Sequence, residues 1–127
     1  MKRIHGGTVY NIGDIVIVRF PFTDSASSKQ RPVIIIHVIY DYNDYLCMPI
    51  TSKIKDEKNR IGISNNDINP DTGILQKKSQ AIIDKLYTFN DEIIKKKFAS
   101  IKKEKYLEII NILIKCLQND IKIYSVN

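Results

Sequence analysis

The chain has 127 residues, which fits one domain, and 43% of them are apolar, enough for a hydrophobic core at this size. No apolar run is long enough to predict a transmembrane helix, and no apolar stretch of signal-peptide type follows the basic N-terminus, so we expect a cytoplasmic protein without a membrane partner. The formal net charge of +6 favours a polyanionic partner such as nucleic acid, or an acidic protein.

The first half of the chain alternates β-branched runs with turn residues, which predicts short strands. A strand is predicted over residues 14–20 and a polar loop over 23–30. Residues 32–40 are the most β-branched stretch and are predicted to form a central strand that is buried on both faces. A turn at residues 41–44 then joins this strand to a third strand, residues 45–51, as a hairpin.

Charged and turn-forming residues dominate the middle of the chain. Residues 52–60 are predicted to be a mobile charged loop, and residues 61–64 a shorter strand. Residues 65–73 are rich in Asn, Asp, Pro and Gly, which predicts a loop. A further strand is predicted over residues 79–86.

The hydrophobic period changes near Asn90, which is a good N-cap residue followed by two acidic residues. A short helix is predicted over residues 92–97, and Ser100 is predicted to cap a second helix over about 102–119. An edge strand is predicted over residues 121–126. The second helix has an apolar stripe with helical spacing, expected to face the core. Its members are Tyr106, Leu107, Ile109, Ile110, Leu113, Ile114 and Leu117.

Several short strands followed by helices, without alternation of strand and helix, predict a compact antiparallel barrel-like sheet with helices packed on it. We therefore expect residues 1–127 to form one mainly β domain of the α+β class.

Known cofactor and metal motifs are missing from the sequence, which narrows the possible chemistry. It contains no dinucleotide or P-loop glycine motif, no zinc-protease motif and no Cys/His cluster. The two histidines, His5 and His37, are far apart, and His37 is expected to be a structural strand residue. Asp84 is the one acidic residue that stands out on the predicted strands, so a metal-dependent nuclease is disfavoured and no cofactor is expected.

Arg31 and Thr51 are the first candidate site residues. Arg31 lies where the central predicted strand begins, and Thr51 lies where its hairpin partner ends. Because antiparallel pairing through the turn brings these two ends level, the residues are expected to be neighbours. A guanidinium fork beside a hydroxyl can bind phosphate. The alternative is that Arg31 is a surface arginine beside a loop.

Three blocks of the sequence carry a family resemblance. GDIVIVRFPFTDSASSKQRPVIII (residues 13–36) resembles the N-terminal signature of the PemK/MazF toxin family. PITSK (49–53) resembles the Ile-Thr-Ser block of that family, and GILQKKSQAIIDKLYTFNDEII (73–94) resembles its late strand. The blocks occur in the family's order, and the resemblance spans about residues 10–118.

The resemblance implies a small SH3-like antiparallel barrel with a C-terminal helix, working as a homodimer in a toxin–antitoxin system. It implies metal-independent cleavage of single-stranded RNA, usually mRNA, at short sequences. In that chemistry the ribose 2′-hydroxyl attacks the adjacent phosphate and leaves a cyclic phosphate and a free 5′-hydroxyl. It also implies that the acidic C-terminal tail of a cognate antitoxin binds in the groove and blocks the RNA path.

The resemblance also implies roles for individual residues. Arg31 matches the catalytic arginine, which would act in proton transfer and stabilise the phosphorane charge. Since a guanidinium is a poor base at its ordinary pKa, stabilisation of that charge is the physically safer role. Thr51 matches the catalytic threonine, which would hydrogen-bond a phosphate oxygen or the attacking hydroxyl. Asp84 matches an acidic position that some members use in catalysis or base recognition.

Other positions qualify this match. Some members carry an arginine where this chain has Ile82, and Lys29 or Lys85 are candidates to replace its charge. Phe20 is expected either to stack on bases or to pack under the loop that precedes Arg31. The residues expected to bind RNA lie in that loop or beside the two catalytic candidates: Phe20, Lys29, Gln30, Ser52 and Lys53.

Two non-enzymatic alternatives use the same fold. A gyrase-poisoning toxin of the CcdB type would need its function in the C-terminal residues, and a degenerate RNA-binding barrel would only bind. The gyrase-poisoning toxin has no use for Arg31 together with Thr51. A comparison of RNA cleavage by the wild type and Arg31→Ala in EDTA discriminates the enzyme from both alternatives.

Overall fold

The structure is a computed structural model that describes residues 10–19 and 29–126. Within these ranges the chain forms seven strands and one α-helix. Their bounds are β1 Asp14–Arg19, β2 Gln30–Ile39, β3 Asp44–Thr51, β4 Arg60–Ile63, β5 Ser79–Ile82, β6 Tyr87–Asn90, β7 Ile94–Ser100 and α1 Lys103–Val126.

The strands form one antiparallel sheet in the order β4-β5-β3-β2-β1-β7, and β6 also pairs with β3. β3 has two partners on one edge because its first residues pair with β6, while Ile50 and Thr51 at its other end pair with β5. Among the described residues the first and last strands of this order, β4 and β7, do not pair with each other, so the sheet is not closed, and α1 follows it in the chain. This arrangement confirms the expected antiparallel barrel-like fold with a C-terminal helix.

β2 lies in the middle of the sheet and is buried on both faces, as predicted. Ile34 and Ile36 belong to a core that includes Ile109 of α1, whereas Val33 and Ile35 belong to a second core on the other face. Since side chains alternate between faces along a strand, this one run of aliphatic residues supplies both cores. Each fully buried isoleucine contributes about 1.5–3 kcal/mol.

The hairpin of β2 and β3 is confirmed, and its turn is a 3₁₀ turn, Tyr40–Tyr42, followed by Asn43 with a φ of 55°. Val33 lies opposite Pro49, and the register shifts once between Ile35 and His37. Asparagine tolerates the left-handed conformation better than most residues, which explains why it ends this turn.

α1 packs on the sheet through its first half. Ile109 is fully buried, and the hydroxyl of Tyr106 donates to the carbonyl oxygen of Ile36 over 2.8 Å. Leu107, Ile114 and Leu117 of the predicted stripe are 45%, 42% and 53% exposed, respectively. The prediction of a core-facing helix is therefore right for part of the stripe only.

The prediction of a helix over residues 92–97 is wrong. Asn90 is an N-cap, because its side chain accepts from the Glu92 amide over 3.0 Å, but it caps only the 3₁₀ turn Asp91–Ile93. The chain then continues as β7, which pairs with β1 and buries Ala99. The backbone hydrogen bonds that β7 forms with β1 outweigh the local preference of these residues for helix.

The other helix boundaries also differ from the prediction. Ser100 is the last residue of β7, where its hydroxyl accepts from the Asn69 side chain, so it does not cap α1. α1 continues to Val126, so residues 121–126 are helical and not an edge strand. The apolar residues there keep the helical spacing of the preceding turns.

The predicted strand 79–86 is shorter than expected. β5 ends at Ile82 and a turn follows, in which the Lys85 amide donates to the Ile82 carbonyl over 3.2 Å. The chain then enters β6, which pairs with β3 and was not predicted. β4 occupies the predicted strand 61–64 with a shift of one residue, and residues 52–59 form a connection without strand or helix, as expected.

Candidate active site

Arg31 and Thr51 lie at the open end of the β2–β3 hairpin. The register that places Val33 opposite Pro49 brings Arg31 opposite Thr51 when it is continued by two residues. Both residues line one cavity of about 420 Å³. The expected proximity of the two candidates is therefore present, and it follows from strand pairing alone.

The cavity has an apolar floor and a polar rim. Its floor comes from several strands and from the segment before β5, and its apolar members are Ile17, Pro32, Ile50, Leu75 and Phe98. The polar members that the structure describes are Gln30, Arg31, Thr51, Ser52, Lys53, Gln76, Lys77 and Ser79. An apolar floor suits a flat base, and polar groups at the rim suit its ribose and phosphates.

The charged side chains among the described lining residues are all basic. They are Arg31, Lys53 and Lys77. Three cations lining one cavity favour an anionic ligand there. This is the electrostatic signature expected of a phosphate-binding groove.

The Thr51 hydroxyl is oriented by the chain that follows it. Its oxygen accepts from the Lys53 amide over 3.1 Å, which forms a tight turn at the end of β3. A hydroxyl can accept and donate at the same time, so its own proton stays available to a ligand. Thr51 is half-buried, which leaves it accessible from the cavity.

Thr51 also has a neighbour on β5. The pairing of Thr51 with Gln80 places Gln80 on the same face of the sheet as Thr51 and Arg31. The Gln80 side-chain oxygen accepts from the Arg60 guanidinium over 3.0 Å, and Arg60 also donates to the Lys53 carbonyl over 3.1 Å. Sequence reasoning missed Gln80 and Arg60, because only the β4–β5–β3 pairing reveals that they adjoin the end of β3.

The expected RNA-binding residues divide into three groups. Gln30, Ser52 and Lys53 line the cavity, and Lys29 is exposed just before β2 without being among the described lining residues. Phe20 lies outside the described residues. Lys77, Gln76 and Phe98 also line the cavity and were not singled out from the sequence.

The remaining chemical candidates do not belong to the cavity. Burial raises the pKa of the Cys47 thiol to about 12, which leaves it protonated near neutral pH and unsuited to act as a nucleophile. His37 is exposed on β2 opposite Leu46, away from the lining residues. Within residues 10–19 and 29–126, no three His, Cys, Asp or Glu side chains cluster as metal ligands would.

Comparison with known families identifies the family of this chain. The model of the PemK-like, MazF-like toxin family of type II toxin–antitoxin systems matches residues 11–117. The chain belongs to this family. No curated protein matches the chain significantly.

Two solved structures share the MazF-type fold. Mycobacterium tuberculosis toxin MazF-mt6 is 13% identical, with a TM-score of 0.63 over 83% of this chain and 96% of that one. An endoribonuclease in complex with its cognate antitoxin, from a mycobacterial species, is 10% identical, with a TM-score of 0.65 over 87% of this chain and 96% of that one. In the part of the chain that the structure describes, no helix is both long and apolar enough to cross a membrane.

Asp84, the third catalytic candidate, lies apart from the cavity of this PemK/MazF-type toxin. It is exposed in the turn after β5, where its carboxylate accepts from the Asn59 side chain over 3.2 Å. Ile82, where some family members carry arginine, lies opposite Arg60 on β4. The cation at this place in the sheet is thus Arg60, and neither Lys29 nor Lys85 occupies it.

Proposed function

We propose that this chain is a sequence-selective endoribonuclease toxin that cleaves single-stranded RNA without a metal ion. The observation that carries the proposal is that Arg31 and Thr51 line one cavity at the end of the β2–β3 hairpin, together with Lys53 and Lys77. The cavity can hold one base on its apolar floor while the adjacent phosphate lies between the guanidinium and the hydroxyl.

The proposed reaction is a transesterification within the RNA. The ribose 2′-oxygen bonds to the phosphorus and loses its proton to solvent, the bond from phosphorus to the 5′-oxygen breaks, and that oxygen takes a proton from solvent. The products are a 2′,3′-cyclic phosphate and a free 5′-hydroxyl. Arg31 stabilises the charge that develops on the phosphorane oxygens, and the Thr51 hydroxyl donates to one of them.

RNA binding in this proposal uses the rim of the cavity. Gln30, Ser52 and Lys53 contact phosphates next to the scissile one, and Lys29 extends the positive path. Phe20 is retained as a candidate for stacking on a base. Asp84 is given no step in this reaction, because it lies in an exposed turn and is not among the described residues that line the cavity.

An acidic segment of a cognate antitoxin is the proposed inhibitor. The same three cations that attract RNA would attract carboxylates, so the two ligands would compete for the cavity. One of the solved structures with this fold is an endoribonuclease in complex with its cognate antitoxin, which supports an antitoxin as the partner of this chain.

An RNA-cleavage assay in EDTA tests the proposed function. Wild-type protein is expected to cut a long transcript at a few short sequences, and Arg31→Ala is expected to lower the rate on the order of 10²–10³-fold. Inhibition of gyrase supercoiling by a wild type that leaves the transcript intact would support the CcdB-like alternative. Cleavage that depends on added Mg²⁺ would contradict the proposed mechanism, although the chain would still be a ribonuclease.

The second half of α1 supports a homodimer. Ile114, Leu117, Ile121 and Tyr124 follow one another at intervals of three and four residues and are 42%, 53%, 64% and 84% exposed. This is the spacing by which two helices pack side by side. The positions beside this row, such as Gln118, are mostly uncharged, so a second copy would meet little like-charge repulsion there.

Sedimentation at micromolar concentration tests the dimer. Leu117→Asp with Ile121→Asp is expected to shift the protein from dimer to monomer, because two carboxylates would be buried without partners. Asn119→Asp, on the opposite side of the helix, is the matched control and should remain dimeric. A monomeric wild type would contradict the proposed dimer.

A further inference from the structure

Arg60 is an unusually buried cation for its place at the edge of the sheet. Its side chain is 10% exposed, although β4 is the last strand on this side of the sheet path. Its Nη1 atom donates to the Lys53 carbonyl over 3.1 Å and to the Gln80 side-chain oxygen over 3.0 Å. Its Nε atom lies 3.5 Å from the Glu57 carboxylate, an ion pair that lacks the alignment of a hydrogen bond.

The partners of Arg60 belong to the segment that follows Thr51. Gln80 accepts from the Lys55 amide and donates to the Lys55 carbonyl, both over 3.1 Å, so its side chain pairs with that residue as a neighbouring strand would. Arg60 and Gln80 together fix the backbone of Lys53 and Lys55. The chain leaving β3 is therefore held over the end of β5.

Lys53 links this anchorage to Thr51. The carbonyl of Lys53 accepts from Arg60, and the amide of Lys53 donates to the Thr51 hydroxyl over 3.1 Å. The position of that amide determines where the hydroxyl oxygen is held and so where its proton can point. A guanidinium is suited to this task, because it is always charged and presents several donors in a rigid plane.

We propose that Arg60 is a positioning residue for RNA cleavage, which holds the Thr51–Lys53 turn in the geometry that aims the Thr51 hydroxyl at the phosphate. This role rests on the proposed function. Arg60 does not line the cavity, and its effect on the reaction passes through Lys53 and Thr51.

The kinetic test is a double-mutant cycle. Arg60→Met keeps the aliphatic stem and removes the donors, and it is expected to lower kcat about 10-fold with KM changed less than about twofold. In a Thr51→Val background the same substitution should lower kcat by less than about threefold, because the group that Arg60 positions is gone. An equal loss in both backgrounds would overturn the proposal.

A structural measurement in the absence of RNA completes the test. Arg60→Met is expected to move the Lys53 amide resonance and to speed its hydrogen exchange, whereas Arg60→Lys, which keeps a charged donor, should recover part of both effects and part of kcat. Lys58→Met is the matched control, since it removes one exposed cation from the same loop. An unmoved Lys53 amide in a folded Arg60 variant would overturn the proposal.

The failures of the two proposals are distinguishable. A wild type that cleaves no RNA overturns the proposed function and the role of Arg60 with it. Cleavage that is lost in Arg31→Ala but undiminished in Arg60→Met overturns only the positioning role. If Arg60→Met does not fold, the comparison of Arg60→Lys with the wild type in both backgrounds decides the question.

Discussion

Two polar clusters occupy opposite ends of β5, and only one of them adjoins a cavity. The site cluster, Arg31, Thr51, Lys53 and Gln80, surrounds the end of β3, and its two cations line the cavity. The Asp84 cluster, Asn59, Asp84 and Cys116, joins the turn after β5 to α1, since the Cys116 thiol donates to Asn59 over 3.3 Å and Asn59 donates to Asp84 over 3.2 Å.

The two clusters differ in whether their polar groups bond one another or line a cavity. In the Asp84 cluster the polar groups satisfy one another across three segments, which is a structural use of polarity. Beside the site cluster, the Arg60 and Gln80 side chains hydrogen-bond the backbone of Lys53 and Lys55, which in our proposal holds Thr51 in place, while the cavity next to them can receive a ligand. Gln80 and Asp84 are close in sequence, yet they serve different ends of the molecule.

Of the substitutions that test this difference between the clusters, replacement of Thr51 is expected to lower kcat most. Thr51→Val removes the hydroxyl with little change of shape, and loss of one hydrogen bond to a charged oxygen should lower kcat roughly 10-fold. Thr51→Ser keeps the hydroxyl and should remain within about threefold of the wild type. Steady-state cleavage of a short RNA measures both, and an active Thr51→Val would remove Thr51 from the mechanism.

A smaller effect is expected at Lys77, which lines the cavity but adjoins neither catalytic candidate on the sheet. Lys77→Gln should raise the Kd for a non-cleavable RNA a few-fold and reduce the slope of log Kd against log salt by about one. Lys122→Gln, on the exposed second half of α1, is the matched control and should leave the slope unchanged. Equal slopes for the two variants would place the RNA path elsewhere.

The contrast between the clusters also shows how far the sequence could predict the site. Arg31 and Thr51 were placed together correctly, because a hairpin with a short turn determines which residues of its two strands lie level. Gln80 and Arg60 could not be placed in this way. Gln80 is far along the chain from both Thr51 and Arg60, and no local rule determines the register in which β5 pairs with β3 and β4.

For the fold, too, local patterns could be predicted from the sequence, whereas pairing between distant segments could not. The aliphatic run at Val33 to Ile36 predicted the central strand, since only a strand buried on both faces carries such a sequence. β7 was predicted as a helix because Asn90 is a good N-cap and the residues after it allow either structure. Its strand conformation depends on pairing with β1, about 80 residues earlier in the chain, which is a non-local contact.

The smallest effect is expected from substitution of Asp84. This substitution tests directly whether the Asp84 cluster is structural, in contrast to the site cluster. Asp84→Asn retains an acceptor for the Asn59 side chain and removes a charge that lies outside the cavity. An exposed substitution of this kind should change kcat/KM by less than about twofold and leave the cleavage sites unaltered. A loss of 10-fold or more, or a changed cleavage motif, would show that Asp84 reaches the RNA, as it would if a second subunit or a longer RNA brought substrate to that end of β5. The same substitution in an Arg31→Ala background would then show whether the two clusters act on one bound RNA, because residues that serve one site give non-additive effects.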